Sequence, residues 1–240
     1  VIDLDVTDDV SVRDGVQAAV ALAGALDVVV NNAGIVGLGL TEGFTPEQFA
    51  HMFDVNVGGA VRVNRAVLPA MRARGRGLLI HLSSAAGRAT VPGLAPYCAS
   101  KYALEALADA YRYELQPWGV QSVLVEPGIY RTAIFDQAMR PDDTARVDGY
   151  GPHGNYVDTV GHVFASAMAD PKNPGSAEVA EAVVGLVEME PVARPFRTVV
   201  SAPLVPLLTP YNDMADRLRP VIASIFWVPH LIDAPPAEQG

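Results

Sequence analysis

The sequence contains one cysteine, Cys98, and only two lysines, Lys101 and Lys172, among 240 residues. A single cysteine excludes an internal disulfide and fits a reducing compartment, so we predict a cytoplasmic protein. We interpret Cys98 as a small buried side chain rather than a nucleophile. The net charge of −10 argues against a nucleic-acid partner, because neutralising phosphates requires clustered basic side chains.

Long apolar runs are also lacking, so we predict no membrane span. The most apolar stretch, residues 220–232, is too short and is interrupted by Pro229. It could form a hydrophobic flap, a partner surface or a membrane-touching tail. The five histidines show no metal-ligand spacing, and no G-x-S-x-G motif supports a serine hydrolase. We therefore predict no metal site.

The hydrophobic patterns alternate between strand and helix periodicity. The predicted elements are a strand over the first five residues, a helix over 8–24, a strand over 26–30, a helix over 45–74 with a kink at Pro69, a strand over 77–82, a helix over 96–116 and a strand over 120–125. This order indicates βαβ units and an α/β fold, a Rossmann-like doubly wound parallel sheet in a single domain over 1–240.

The last third of the chain is less regular. Residues 129–175 combine several glycines with apolar side chains after a strand end, which is typical of a substrate lid. A helix capped by Ser176 is predicted over 176–190, followed by an edge strand over 198–200. Residues 201–240 form a C-terminal tail with several prolines, and the sequence does not predict where it lies in the fold.

Polar side chains and glycines follow each predicted strand. They are Asp5, then Asn31, Asn32 and Gly34, then Ser83 and Ser84, then Pro127 and Gly128. Ligands of such folds bind beyond the carboxyl ends of the strands. These positions therefore predict a cofactor cleft.

Tyr97 and Lys101 lie four positions apart in a predicted helix, which places both side chains on one face. Chance alone gives such a Tyr/Lys pair with an expectation of about 0.07 in this composition. One alternative is a surface pair of little consequence. The other interpretation is an acid/base site, because an ammonium beside a phenol suits proton transfer. The presence of further site residues elsewhere in the sequence decides between the two.

Six motifs occur in one order: LDVTD at 4–8, NNAG at 31–34, DVNVGG with Asn56, LSSAAG at 82–87, YCASK at 97–101 and PGIYRT at 127–132. Over residues 2–132 the sequence thereby resembles the short-chain dehydrogenase/reductase family. The stretch 111–128 is similar to members acting on steroids, retinoids or other lipophilic alcohols. The resemblance implies an oxidoreductase that interconverts an alcohol and a ketone or aldehyde.

The resemblance implies four catalytic residues. Tyr97 would be the general acid in reduction and the base in oxidation, and Ser84 would hold the substrate oxygen. Lys101 and an oxidised nicotinamide would lower the phenol pKa by about three units toward neutrality. Asn56 would support a water that relays protons to Lys101. We interpret Ser83 as a capping or packing residue.

The cofactor implied by the resemblance is NAD or NADP. Its implied contacts are Asp5 and Val6 at the adenine, Asn32, Ala33 and Gly34 at the ribose and the strand turn, Tyr97 and Lys101 at the nicotinamide ribose, and Pro127, Gly128 and Thr132 at the carboxamide. NNAG and Pro-Gly are also ordinary turn sequences.

The family's T-G-x-x-x-G-x-G turn, which cradles the pyrophosphate, is absent. In the family Asp5 belongs to the third strand, so the expected fold lacks its N-terminal β-α-β-α portion, on the order of 60 residues. The sequence thus predicts an N-terminally truncated chain, which we expect to be inactive on its own because the sheet would lack its central strand.

Two functions from different classes remain open. The first is the NAD(P)-dependent oxidoreductase acting on a small, lipophilic substrate. The second is a nucleotide- or partner-binding regulatory protein that kept the fold without turnover. Helices 45–74 and 96–116 resemble those that pair across family dimers, so we predict a homodimer or homotetramer.

Overall fold

The computed structural model describes residues 1–173 and 175–233. Its helices are α1 (Asp9–Ala23), α2 (Pro46–Phe53), α3 (Gly59–Ala73), α4 (Ala95–Leu115), α5 (Thr144–Asp148), α6 (Tyr156–Ala169), α7 (Ala177–Glu188), α8 (Val205–Ile225) and α9 (His230–Asp233). Its strands are β1 (Val28–Asn31), β2 (Gly77–Leu82), β3 (Val120–Pro127) and β4 (Arg197–Val200). Residue 174 of the predicted lid and 234–240 of the predicted tail lie outside the described residues.

The four strands form one parallel sheet in the order β1-β2-β3-β4. Asn31 pairs with His81, and Leu82 pairs with Val125 one residue further along β2. All carboxyl ends therefore meet at one edge of the sheet. The prediction of a Rossmann-like parallel α/β fold is confirmed.

Both faces of the sheet are covered by helices. The even-numbered side chains of β2 share a buried cluster with Leu186 of α7, whereas Leu79 shares one with Met71 of α3 and Leu115 of α4. Leu79 is completely buried, and each such side chain contributes about 1.5–3 kcal/mol by leaving water. Burial on both faces explains why the strands are continuous apolar runs.

Capping side chains fix where the first helices begin. Asp8 accepts hydrogen bonds from the Val10 and Ser11 amides, and α1 ends at Gly24 with φ of 79°. Thr45 and Gln48 form a reciprocal capping box around α2. These local signals lie in the sequence, so both helix starts agree with the prediction.

The prediction of a strand over the first five residues is wrong. These residues are exposed and pair with no strand of the described chain. The Asp5 amide instead donates to Ser11 Oγ at 2.9 Å. A strand requires a neighbouring strand for its backbone hydrogen bonds, and β1 is paired with β2 alone.

The irregularity in the predicted helix 45–74 lies at Asp54–Gly58, where the backbone forms a π-helical turn between α2 and α3. Helix α3 continues through Pro69. The predicted kink at Pro69 stays a prediction, and the departure from α-helical geometry at Asp54–Gly58 was not predicted. A π turn inserts one extra residue, which sequence periodicity does not reveal.

Two C-terminal predictions have different outcomes. Strand β4 confirms the predicted edge strand. Ser176 lies at the start of α7, but its side chain makes no capping hydrogen bond because its backbone is already helical, with φ of −60° and ψ of −9°. Capping by a serine side chain requires an extended backbone at that position.

The predicted tail folds largely into α8, which packs along α4. Arg112 of α4 contacts Asp216 at 3.0 Å, and Arg219 donates to Gln116 at 2.9 Å. In the middle of the apolar stretch 220–232, Phe226 is 71% exposed and Trp227 is 88% exposed. Within the described ranges, no helix is long and apolar enough to cross a membrane. Pairing of subunits through α3 and α4 stays a prediction.

Candidate active site

Asn56 lies in the π turn, and its amide joins three chain segments. Its Oδ1 accepts from the Ile35 amide at 2.8 Å, while Nδ2 donates to the Ile35 carbonyl at 2.9 Å and to Ser100 Oγ at 2.8 Å. Ser100 in turn donates to the Tyr97 carbonyl at 2.7 Å. The buried asparagine therefore fixes the turn after β1 against the first turns of α4.

The Asn-rich turn after β1 passes close to this group. A Cβ at Gly34 would lie 3.3 Å from Asn56 Oδ1 and 3.7 Å from Lys101 Nζ. Side chains at this position would crowd both groups, so glycine permits the close approach. Asn32 and Ala33 are exposed at the carboxyl edge.

Helix α4 places Tyr97 and Lys101 together, as the spacing predicts. Lys101 is buried, and its ammonium donates to the Leu82 carbonyl at the end of β2 at 2.6 Å. Its Nζ lies 5.7 Å from the centroid of the Tyr97 ring. The end of the central strand thus anchors the lysine beside the phenol.

The two ionisable groups have shifted pKa values. Burial raises the pKa of Tyr97 to about 12, although a hydrogen bond with Ser84 acts in the opposite direction. Burial also lowers the pKa of Lys101 to about 8, partly offset by the negative charge of Glu105. The protein's own groups therefore shift the Tyr97 pKa upward, because burial disfavours the phenolate more than its polar neighbours favour it. The predicted lowering involves an oxidised nicotinamide as well as Lys101, and it stays a prediction.

The two serines after β2 differ in their contacts. Ser84 accepts from the Ala86 amide at 3.1 Å and caps a short 3₁₀ turn. Ser83 is buried, and its hydroxyl has no hydrogen-bond partner among the described residues. Ser83 thus packs in the interior. Ser84 caps the turn, and its contact with a substrate oxygen stays a prediction.

The loop after β3 lies against the segment after β4. The Gly128 amide donates to the Val200 carbonyl at 3.0 Å. A Cβ at Gly128 would approach Ser201 Oγ to 2.5 Å, so this position requires glycine. Pro127 is half-buried and Thr132 is exposed at the start of a 3₁₀ turn.

A cavity of about 880 Å³ lies at the carboxyl edge of the sheet. The predicted site residues that line it are Asn32, Gly34, Ser84, Tyr97, Lys101, Pro127, Gly128 and Thr132. Those outside its lining are Asp5, Val6, Ala33 and Asn56. The structure therefore brings three of the four predicted catalytic residues to one cavity, with Asn56 behind them.

The segment expected at the adenine lies apart from this cavity. Asp5 is exposed, and one of its carboxylate oxygens accepts from the Thr7 amide at 2.8 Å and the Thr7 hydroxyl at 2.7 Å. These hydrogen bonds hold the pKa of Asp5 below its usual value. The Val6 carbonyl accepts from Arg62 of α3 at 3.2 Å.

Several cavity residues were not predicted. The wall includes Val179 and Val183 of α7, and Leu204 and Leu208 at the start of α8. Ser100, which links Asn56 to Tyr97, was also missed. The apolar face of the predicted helix 176–190 was the available signal for α7. The contribution of α8 depends on long-range packing and had no local signal.

Asn56→Asp is expected to destabilise the fold by about 2–4 kcal/mol at pH 7. The substitution keeps the shape, but a buried carboxylate loses both donated hydrogen bonds and faces the Ile35 carbonyl. Urea unfolding at pH 7 and pH 4.5 checks this, and the loss should shrink at the lower pH because a protonated aspartate regains one donor. Exposed Asn155→Asp serves as the control. A change in Asn56→Asp below about 0.5 kcal/mol would contradict the structural role.

No group of histidine, cysteine, aspartate and glutamate side chains within residues 1–173 and 175–233 is arranged to hold a metal ion. His81 is fully buried and stacks on Tyr111 with ring centroids 6.2 Å apart. Burial lowers the pKa of His81 to about 4. This side chain is a neutral core residue.

Known proteins similar to this chain share its fold and its motif region. A 3-ketodihydrosphingosine reductase of Bacteroides thetaiotaomicron is 35% identical over 147 residues, which is 61% of this chain and 55% of that protein. A short-chain dehydrogenase structure from Streptomyces avermitilis has a TM-score of 0.71 at 29% identity, covering 94% of this chain and 79% of that one. A gluconate 5-dehydrogenase structure from Burkholderia cenocepacia in complex with NADP and tartrate has a TM-score of 0.53 at 32% identity. The match covers 61% of this chain and 56% of that one.

The chain spans about half the length of the curated relatives it matches, 57% and 55% for two of them. The family description "short chain dehydrogenase" matches residues 1–143, the part that contains Asn56, Ser84, Tyr97 and Lys101. This match covers more than half of the 240 residues. The chain therefore belongs to the short-chain dehydrogenase/reductase family of oxidoreductases.

Proposed function

We propose that the protein interconverts an alcohol and a ketone or aldehyde with NAD or NADP, using Tyr97 as the general acid and base. The observation that carries this proposal is the convergence of Ser84, Tyr97 and Lys101 on one cavity at the carboxyl edge of the sheet. A proton donor, an oxygen-binding hydroxyl and a fixed cation are the groups that carbonyl reduction requires.

Each residue has a distinct role in this proposal. Ser84 binds the substrate oxygen beside the Tyr97 hydroxyl, and Tyr97 passes the proton to or from that oxygen. The raised pKa of Tyr97 keeps the phenol protonated at neutral pH, the form that donates during reduction. Lys101 is held in place by the Leu82 carbonyl, and Asn56 positions the start of α4 through Ser100.

The residues present fit the nicotinamide end of a dinucleotide. Asn32, Gly34, Pro127, Gly128 and Thr132 line the same cavity as the catalytic group. Lack of a side chain at Gly34 leaves space next to Lys101. The nicotinamide, when bound, supplies or accepts the hydride. Asp5, Val6 and Ala33 are proposed contacts of the adenosine half, outside the cavity. The choice between NAD and NADP stays open.

The proposed substrate is an uncharged, lipophilic alcohol or ketone. Lys101 is the only charged side chain among the described residues that line the cavity, and apolar groups dominate the remainder. Residues of the predicted lid 129–175, such as Tyr130 and Phe135, form part of this wall. The 3-ketodihydrosphingosine reductase among the relatives supports a ketone substrate. A hydroxysteroid or retinol substrate stays a narrower prediction.

Fluorescence titration with NADH and NADPH tests the proposal. The 240-residue chain and the product of its natural reading frame are compared, because the chain spans about half the length of its curated relatives. Lys101→Met is expected to weaken binding about tenfold by removing the ammonium at the cofactor end of the cavity. The matched control is Lys172→Met, which alters the other lysine of the chain on an exposed loop.

The outcomes separate the two candidate functions. Saturable binding together with turnover of a lipophilic ketone supports the oxidoreductase. Binding without turnover across a broad carbonyl panel supports the regulatory alternative. If neither protein binds either nucleotide, the oxidoreductase proposal fails.

A further inference from the structure

A second cavity of about 580 Å³ adjoins the lid segment. Its walls come from the loop at residues 135–140, from α6 and from Leu38. The loop is anchored to the segment after β1, because the Met139 amide donates to the Val36 carbonyl at 2.9 Å and the Leu38 amide donates to the Met139 carbonyl at 3.0 Å. The cavity is thus bounded by backbone that is hydrogen-bonded to the catalytic side of the fold.

Two phenylalanines separate this space from the catalytic cavity. Phe135 and Phe164 line both cavities. Their rings stack with centroids 4.3 Å apart and an interplanar angle of 25°. Two stacked rings therefore form a shared wall, which is one aromatic pair thick.

The two rings differ in how firmly they are held. Phe164 is buried on α6, and it belongs to a core cluster with Val36 and Leu94. Phe135 is only half-buried and ends a 3₁₀ turn. Phe135 is accordingly the part of the wall that can change with little loss of core packing.

The two cavities also differ in charge. Lys101 is the one charged group among the described lining residues of the catalytic cavity. The second cavity is lined by apolar groups together with two acids and two bases, namely Asp136, Arg140, Asp158 and His162. This mixture suits a long uncharged molecule whose far end is solvated, rather than a molecule with one strong charge.

We propose that the second cavity is the distal part of an extended substrate site, and that the Phe135 ring limits the length of chain that the site accepts. This inference rests on the proposed function, since it extends the same cavity in which Tyr97 acts. The ligand class is an uncharged molecule with a linear hydrocarbon chain, its carbonyl at Ser84 and Tyr97 and its chain directed toward Phe135 and Phe164.

The proposal makes a quantitative statement about binding. Each methylene that finds buried apolar space tightens binding by about fourfold, which is the fold-change corresponding to the burial of one CH₂. In the native protein this gain stops when the chain reaches the aromatic wall. In Phe135→Ala the gain continues for about two further methylenes, because the removed ring opens a path into the second cavity.

Calorimetric titration of the complete protein with 2-alkanones of six to twelve carbons tests this. We expect the native affinity to level off within the series and Phe135→Ala to level off at a longer chain. Phe135→Leu keeps more of the side-chain volume, so its affinity should level off at an intermediate chain length. This variant replaces Phe135→Ala if the alanine variant does not fold. Phe49→Ala is the matched control, since Phe49 is also half-buried in an aromatic pair, with Phe44 at 6.3 Å, but lines neither cavity.

The test distinguishes this inference from the proposed function. If folded Phe135 variants level off at the native chain length, or the native protein binds none of the series, the distal site is refuted. If the limit moves and the same protein reduces no ketone, the distal site stands and the oxidoreductase proposal fails. If ketones are reduced with an unmoved limit, only the distal site is refuted.

Discussion

Tyr97→Phe is expected to lower kcat for ketone reduction by about 10²–10⁴-fold, the usual contribution of a positioned general acid. The substitution removes only the phenolic hydroxyl, so nucleotide binding should stay within about twofold of the native value. Steady-state kinetics and fluorescence titration of the complete protein measure the two effects. A fall in kcat with retained binding is specific to a proton-transfer role.

The matched control is Tyr102→Phe. Tyr102 lies on the same helix, but it is exposed and donates to the Arg88 carbonyl at 2.6 Å, away from the cavity. We expect it to keep native kcat. If Tyr97→Phe retained more than about one-tenth of the native kcat, Tyr97 would not be the acid, and Ser84 or a bound water would have to supply the proton.

Arg197→Met is expected to destabilise the protein by about 3–5 kcal/mol, because it removes the nearer of two arginines beside buried carboxylates. Arg88 remains, at 3.9 Å from Glu105 and 3.8 Å from Glu126. Arg197 of β4 contacts Glu105 of α4 at 2.9 Å, Glu126 of β3 at 3.6 Å and Asp109 at 2.6 Å. Glu105 and Glu126 are both almost completely buried. Methionine preserves the volume, so the loss measures charge rather than packing.

The penalty should depend on pH in a defined direction. Burial, and then repulsion from Glu105, raises the pKa of Glu126 to about 7, above the ordinary value of 4.5. The folded state therefore holds this proton more tightly than the unfolded chain, and stability is lost as the pH rises from about 4.5 through 7. Without Arg197 this loss becomes larger, so urea unfolding should show a bigger penalty at pH 8 than at pH 5.

Arg146→Met provides the comparison. Arg146 also contacts two carboxylates, Glu42 and Asp143, each at 2.9 Å, but its side chain is 57% exposed. Exposed ion pairs contribute about 0–1 kcal/mol, so little change is expected. Equal effects of the two substitutions, or a penalty for Arg197→Met that is the same at both pH values, would show that the buried charges are not what Arg197 stabilises.

Much of the fold could be predicted because its signals are local. Strand β2 begins and ends where the apolar run begins and ends, and α2 begins at the Thr45 cap followed by Pro46. The prediction of a first strand failed because a strand forms only when a second segment pairs with it, and the local sequence does not show whether one does. The Ser176 cap failed because the backbone conformation, not the residue type, decides whether a serine side chain reaches the helix amides.

The candidate site was also predictable in part. Tyr97 and Lys101 meet on one helix face as their spacing requires, and Ser84 joins them because strand ends share one edge of a parallel sheet. The contribution of burial to the Tyr97 pKa was not predictable, since it depends on how much water the surrounding segments exclude. The ion pairs around Arg197 could not be predicted from local sequence either, because Glu105 lies 92 residues away in the chain.

The sequence by itself determined the alternation of strands and helices, the family and the identity of the candidate catalytic residues, because periodicity, caps and short motifs are written in neighbouring residues. Only the tertiary structure decided the burial of Lys101, the partial burial of Tyr97, the hydrogen bonds of Asn56 to Ile35 and Ser100, and the aromatic wall between the two cavities. These features arise where segments distant in sequence pack together, and their energies depend on the water that this packing removes.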